Sequence, residues 1–245
     1  MPPQRTTATA LTALLVAALA GCQGGGSATT DSRSFDFTAD RLVIDSREVG
    51  LVVDQGAAGS VRVDRTLTGK AADAGAAALA LENGVLRVGV DCGGVTLTCE
   101  AEHVVRVPPG VAVEFRGSGS RVRAEGLTGD VTATLTDDAT IALAEPSGTL
   151  SLDATDSSIT VTAATSPSVT AVTAVDGDVS LQFASPPQRV EARSAGGHAA
   201  VVLPAGPETY QVDAAGAQPV AHDPASTRTV VAHAGDGRAT VTKAG

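Results

Sequence analysis

Residues Gly117–Ser158 read GSGSRVRAEGLTGDVTATLTDDATIALAEPSGTLSLDATDSS, and this stretch decides the fold. Apolar and polar residues alternate in short runs, Val122 and Ala124, then Val131, Ala133 and Leu135, then Ile141 and Leu143, each bounded by Gly, Asp, Ser or Pro. A period of two describes a strand with one buried face, and the breaks carry turn chemistry. The turn GSGS at Gly117 recurs as TDDA at Thr136, TDSS at Thr155, VDGD at Val175, SAGG at Ser194, DAAG at Asp213 and HAGD at His233, at spacings of 19, 19, 20, 19, 19 and 20 residues. Second turns at LTGD, EPSG, TSPS, SPPQ, PAGP and HDPA close each copy. A constant period of this length marks stacked units, none of which buries its apolar face alone. Two strands and two turns per copy predict an all-β, single-domain β-solenoid with seven regular repeats over residues 110–245. The alternative is an antiparallel β-sandwich, in which the same strands pair as hairpins.

Composition agrees with a thin core. Of 245 residues 43% are apolar but only 2% are aromatic, with no Trp, so small and β-branched side chains must fill the interior. The net charge is −10. An acidic chain almost without aromatic rings lacks what nucleic-acid binding needs, clustered Lys and Arg beside stacking platforms. Its Gly-rich stretches are turns between strands, not strand-to-helix phosphate loops, so no nucleotide and no other cofactor is expected.

Upstream of the repeats, residues 34–109 are strand-rich but irregular. Leu42–Asp45, Leu51–Asp54, Val61–Leu67, Val85–Val90 and His103–Val107 read as strands, with QGAAGS at Gln55 as a turn of the repeat kind. Ala71–Ala80 breaks the rhythm and reads as a short helix or an excursion. Cys92 and Cys99 flank a Gly-Gly turn in DCGGVTLTCE, and in an oxidising compartment they are expected to pair. A zinc site is disfavoured because no nearby His/Cys pair completes a tetrahedral set.

The N-terminus carries Arg5, an apolar run from Ala10 to Ala20, then Gly21 and Cys22. The run is shorter than the roughly 18 residues a membrane span needs, and it fits a signal-peptide core over residues 1–21. Leu19-Ala20-Gly21-Cys22 resembles the bacterial lipobox, which implies cleavage before Cys22 and acylation of its thiol. Residues 22–33 are then the acylated cysteine and a flexible polar tether. Acyl chains contribute about 0.8 kcal/mol per buried methylene, and two or more hold stably. The expected location is the outer face of the bacterial cytoplasmic membrane, with the membrane itself as the first partner.

Within the repeats, Gly117–Val131, GSGSRVRAEGLTGDV, resembles the bacterial putative-adhesin domain family, whose repeats read GSGDVxVxGLxGD. VPPGVAVEFR at Val107 and FASPPQRVEARSAGGHAAVVLPAG at Phe183 fit the same family, and the resemblance runs from about Leu42 to the C-terminus. It implies an envelope-facing β-solenoid and carries over no catalytic residue.

The sharpest chemical feature is a file of aspartates, Asp137, Asp156 and Asp176, at equivalent turns, with Asp138 and Asp178 beside them. Stacked hard oxygen ligands are candidates for a metal such as Ca²⁺, although Asp also favours turns by bonding its own backbone. The histidines His103, His198, His222 and His233 lie far apart and read as surface residues, with His198 and His233 placed two repeats apart. No GxSxG or HExxH motif occurs. The expectation is a non-enzymatic surface module whose partner is an envelope protein or a glycan, with envelope-stress sensing as the alternative. A glycan-cleaving enzyme using the three aspartates is the weaker reading.

Overall fold

A computed structural model describes residues 28–93, 98–215 and 220–245. The irregular section forms β1 (Thr29–Asp36), β2 (Arg41–Arg47), β3 (Gly50–Gln55), β4 (Ser60–Gly69), β5 (Ala77–Glu82), β6 (Val85–Val90) and β7 (Cys99–Val107). The repeats form β8 (Ala112–Ser118), β9 (Arg121–Glu125), β10 (Val131–Thr136), β11 (Thr140–Ala144), β12 (Leu150–Thr155), β13 (Ser158–Ala164), β14 (Ser168–Ala174), β15 (Val179–Phe183), β16 (Arg189–Ser194) and β17 (Ala199–Leu203). The last three strands are β18 (Gln211–Ala214), β19 (Thr229–Ala234) and β20 (Ala239–Lys243).

These strands make two ten-stranded sheets whose inner faces share one apolar core. The first sheet runs β1-β4-β7-β3-β9-β11-β13-β15-β17-β20 and the second β18-β19-β16-β14-β12-β10-β8-β2-β6-β5. Among the described residues only three pairings, β1 with β4, β4 with β7 and β5 with β6, are antiparallel. From β8 to β17 successive strands alternate between the sheets, and none pairs with its sequence neighbour. Each instead pairs in parallel with the strand one repeat away, Val131 with Leu150 and Ile141 with Ile159. The hairpin pairing of an antiparallel sandwich is absent from this stretch.

Register sets like on like. Leu42, Val113, Val131, Leu150, Val169, Val190 and Val230 form one buried file across the second sheet. Leu51, Val122, Ile141, Ile159, Val179, Ala199 and Ala239 form its counterpart in the first. Each Val, Leu or Ile so buried contributes roughly 1.5–3 kcal/mol relative to exposure. One strand from each sheet makes a rung, and neighbouring rungs lie about 4.8 Å apart.

The order of the rungs departs from the order of the sequence at both ends. β2/β3 lies between β8/β9 and β6/β7, although β6/β7 comes between them in the chain. At the other end β19 pairs directly with β16 and β20 with β17, while β18 pairs on the far side of β19. The sixth repeat, around DAAG at Asp213, is therefore displaced to the edge, and the seventh stacks on the fifth. The turn QGAAGS differs as well, because β3 and β4 lie in the same sheet with β7 between them. Ala71–Ala80 holds a single 3₁₀ turn, Lys70–Ala72, and the start of β5. The tether boundary at residue 33 also moves, since β1 begins at Thr29.

Close stacking of the turns needs glycine at particular places. A Cβ on Gly148 would lie 2.2 Å from the Gly129 carbonyl oxygen, and one on Gly129 would lie 2.1 Å from the Val111 carbonyl oxygen. The same edge is tied by the Thr149 N–H donating to the Asp130 carboxylate at 2.8 Å. Backbone cannot give way as a flexible side chain can, so Gly148→Ala is expected to cost roughly 1–3 kcal/mol. At about 2–4 °C per kcal/mol for a chain of this size, melting should drop visibly. Gly93→Ala, with nothing within 4 Å of the added carbon, should melt like the parent; equal melting of both variants contradicts the stacking.

Candidate functional site

Cys22 lies outside the described residues. Cys92 and Cys99 form a disulfide with Cα atoms 6.3 Å apart, closing the link between β6 and β7. Among the described residues no helix is long and apolar enough to cross a membrane.

The aspartate file does not form as the spacing suggested. Thr155 pairs with Ala174, so the residue equivalent to Asp156 in the next rung is Val175, and Asp176 falls one place further on. The 20-residue spacing here inserts the extra position. Asp137, Asp138, Asp156 and Val175 all have positive φ, between 50° and 71°. Asp tolerates that region, whereas β-branched Val175, 58% exposed, is strained in it. Asp137 accepts hydrogen bonds from Ser118 at 2.6 Å and Thr136 at 2.9 Å, which hold its pKa below the ordinary value. Asp178 accepts from the His198 N–H at 2.7 Å. The Ser118–Asp137 and His198–Asp178 bonds tie one rung to the next. Among the described residues no three His, Cys, Asp or Glu side chains gather as a metal site.

Three histidines sit near the surface and bond locally. His198 Nδ1 accepts from the Arg238 N–H at 2.9 Å, His222 Nδ1 lies 3.1 Å from the Val212 N, and His233 Nε2 lies 3.2 Å from Asp213. Because β19 pairs with β16, His233 stands beside Arg193, and its rung stacks directly on that of His198 instead of two repeats away.

His103 overturns the surface reading. It is fully buried, in register with Leu51 on one side and Arg65 on the other, and among the described residues neither ring nitrogen has a partner. Arg65 itself is held by Asp31 through bonds of 2.5 and 2.8 Å. Alternation carried the signal, since His103, Val105 and Val107 share one face of β7. Burial pushes the His103 pKa down to about 4, helped by Arg65 and opposed by Asp31. Between about pH 6.5 and 4 the unfolded chain therefore binds a proton that the folded chain does not, and stability rises with pH across that window. The effect is on the order of 3 kcal/mol. His103→Leu should melt higher at pH 7 and lose this part of the acid dependence; an unchanged pH profile would refute the placement.

The outer faces differ in charge. On the second sheet Glu114, almost buried, is pushed up by burial, but bonds from Arg116 and Arg41 hold its pKa below the ordinary value. Glu191 pairs with Arg193 at 2.7 Å on the same sheet. On the first sheet the outward positions of β11, β13, β15, β17 and β20, Ala142 and Ala144 through Thr160, Thr162, Ser180, Gln182, Ala200, Val202, Thr240 and Thr242, carry no charge.

No protein-family model matches the chain, and no curated protein matches it. Three solved structures are similar in part. A putative cell adhesion protein from Clostridium sporogenes is 10% identical with a TM-score of 0.32, covering 88% of this chain and 100% of that one. A putative adhesin from Parabacteroides merdae is 12% identical at 0.34, covering 90% and 98%. Another from Parabacteroides distasonis is 10% identical at 0.35, also covering 90% and 98%. At these values the likeness assigns no activity, and the functional reading rests on the chain's own residues.

Proposed function

We propose that this protein is a lipid-anchored β-solenoid of the bacterial envelope that acts as a non-enzymatic adhesion or binding scaffold. The observation that carries the proposal is the parallel ladder in which each rung repeats the last, because it yields a rod with two extended outer faces and little else. β1 lies at one end of the first sheet and begins seven residues after Cys22. The six intervening residues reach at most about 20 Å. An anchor at Cys22 therefore holds the rod by that end and leaves its faces to envelope proteins or glycans. Catalysis by the aspartates is not favoured, because Asp137 is occupied by two hydroxyls and Asp176 is out of file.

Two measurements test this. Metabolic labelling with palmitate should mark the parent chain in the membrane fraction, and Cys22→Ser should abolish the label and release the protein; a labelled or membrane-bound variant contradicts the anchor. A photocrosslinker at Gln182 on intact cells should give a discrete adduct with an envelope component, whereas release of reducing ends from glycans by the purified protein would replace the scaffold with an enzyme.

A further inference from the structure

We infer that the outer face of the first sheet holds a binding trough for an uncharged glycan. This rests on the scaffold reading and names the ligand class for one of its faces. The trough lies over β11 as an open depression of about 280 Å³, and is built from two parallel rows, Arg123–Ala142–Thr160 and Glu125–Ala144–Thr162. Ala142 and Ala144 make an apolar floor, Arg123 and Glu125 one wall, and the two threonines the other. Asp54 adds a carboxylate at the rim.

The charged wall is open. At a spacing of two residues on one strand Arg62 bonds Asp64, Arg116 bonds Glu114 and Arg193 bonds Glu191, whereas Asp45 and Arg47 on β2 form no ion pair among the described residues. Arg123 and Glu125 have the same spacing, yet among the described residues neither makes an ion pair or a side-chain hydrogen bond. Both are exposed. Beside Thr162 the register slips at a bulge where Ala163 has φ +52°, and Thr162 is exposed.

The chemistry selects the occupant. A guanidinium is a pure donor and a carboxylate a pure acceptor, so a pair of neighbouring hydroxyls satisfies both, accepting from Arg123 and donating to Glu125. The Ala methyls suit the C–H face of a sugar ring, and the threonine hydroxyls bond in either sense. An anion would meet the carboxylates of Glu125 and Asp54. From the trough toward β20 the uncharged positions Ser180, Gln182, Thr240 and Thr242 continue the face, which on a chain of charge −10 matches a neutral polymer better than a charged one.

The test is affinity electrophoresis of the purified full-length chain in gels containing amylose, β-1,3-glucan, xyloglucan or mannan, with polygalacturonate and dextran sulfate as charged comparisons. At least one neutral polymer should retard the parent. Arg123→Ala, Glu125→Gln and the trough-filling Ala142→Arg should each weaken retardation by at least about tenfold, the loss of one charge-assisted hydrogen bond. Thr132→Arg on the second sheet should not, and all variants should melt as folded proteins. Retardation that survives the trough variants, a preference for the charged polymers, no retardation by any neutral polymer, or a parent dimer that Ala142→Arg dissociates would each overturn the trough. A Gln182 adduct on intact cells together with any of those results would retain the scaffold and discard the glycan.

Discussion

The backbone ladder that joins a residue to its equivalent one repeat later is the constraint on which the rest of this protein depends. A parallel ladder fixes the offset between neighbouring rungs, and a fixed offset stacks each inward side chain on its counterpart. Val131 lies on Val113 and under Leu150, and Ile141 lies on Val122 and under Ile159. Such files are filled by Val, Ile, Leu and Ala because a narrow space between two sheets admits little else. The same spacing brings turn backbones so close that Gly129 and Gly148 have no room for a Cβ. Aspartates at the turns then bridge rung to rung, as Asp130 does to Thr149 and Asp178 to His198.

Where one local rule repeats, the fold was legible. The strands β8 to β17 could be placed from alternation and turn residues alone, and so could the disulfide, because Cys92 and Cys99 flank a turn. The rung order at the ends was not legible, for a physical reason. Backbone hydrogen bonds carry no residue identity, and Val190 finds as good an apolar neighbour in Val230 as it would in Val212. Long connections on either side of β18 let the seventh repeat take the sixth one's place. The aspartate file failed because a single inserted residue moved Val175 into the position meant for Asp176. His103 could have been found from its phase with Val105 and Val107; the general habit of histidine outweighed that local signal.

Both ends of the stack break the rule that its middle obeys. At the N-terminal end the antiparallel strands β1, β4 and β5 close the sheets, and Arg33 reaches across to the Leu79 carbonyl at 3.4 Å. The unpartnered nitrogens of His103 lie there, beside the Asp31–Arg65 pair. At the opposite end Tyr210 is fully buried with its hydroxyl unpartnered, and Lys243 stands 5.9 Å from its ring. Capping residues thus carry the polar groups that the files exclude. Ends that stop further stacking keep open edges from templating other chains. On the outer face of the first sheet, β11, β13, β15, β17 and β20 present uncharged outward positions beside the exposed Arg123 and Glu125.

Engineered cysteines test the rung order most directly. Glu191 and Val231 are register partners on adjacent strands, while Asp213 lies beyond Val231, two strands from Glu191. Adjacent strands bring Cα atoms to about 4.8 Å, inside disulfide reach, and two strands do not. After mild oxidation and peptide mass spectrometry, Glu191→Cys/Val231→Cys should crosslink and Glu191→Cys/Asp213→Cys should not. The reverse pattern would mean that the repeats stack in sequence order and that the terminal exchange described above does not occur.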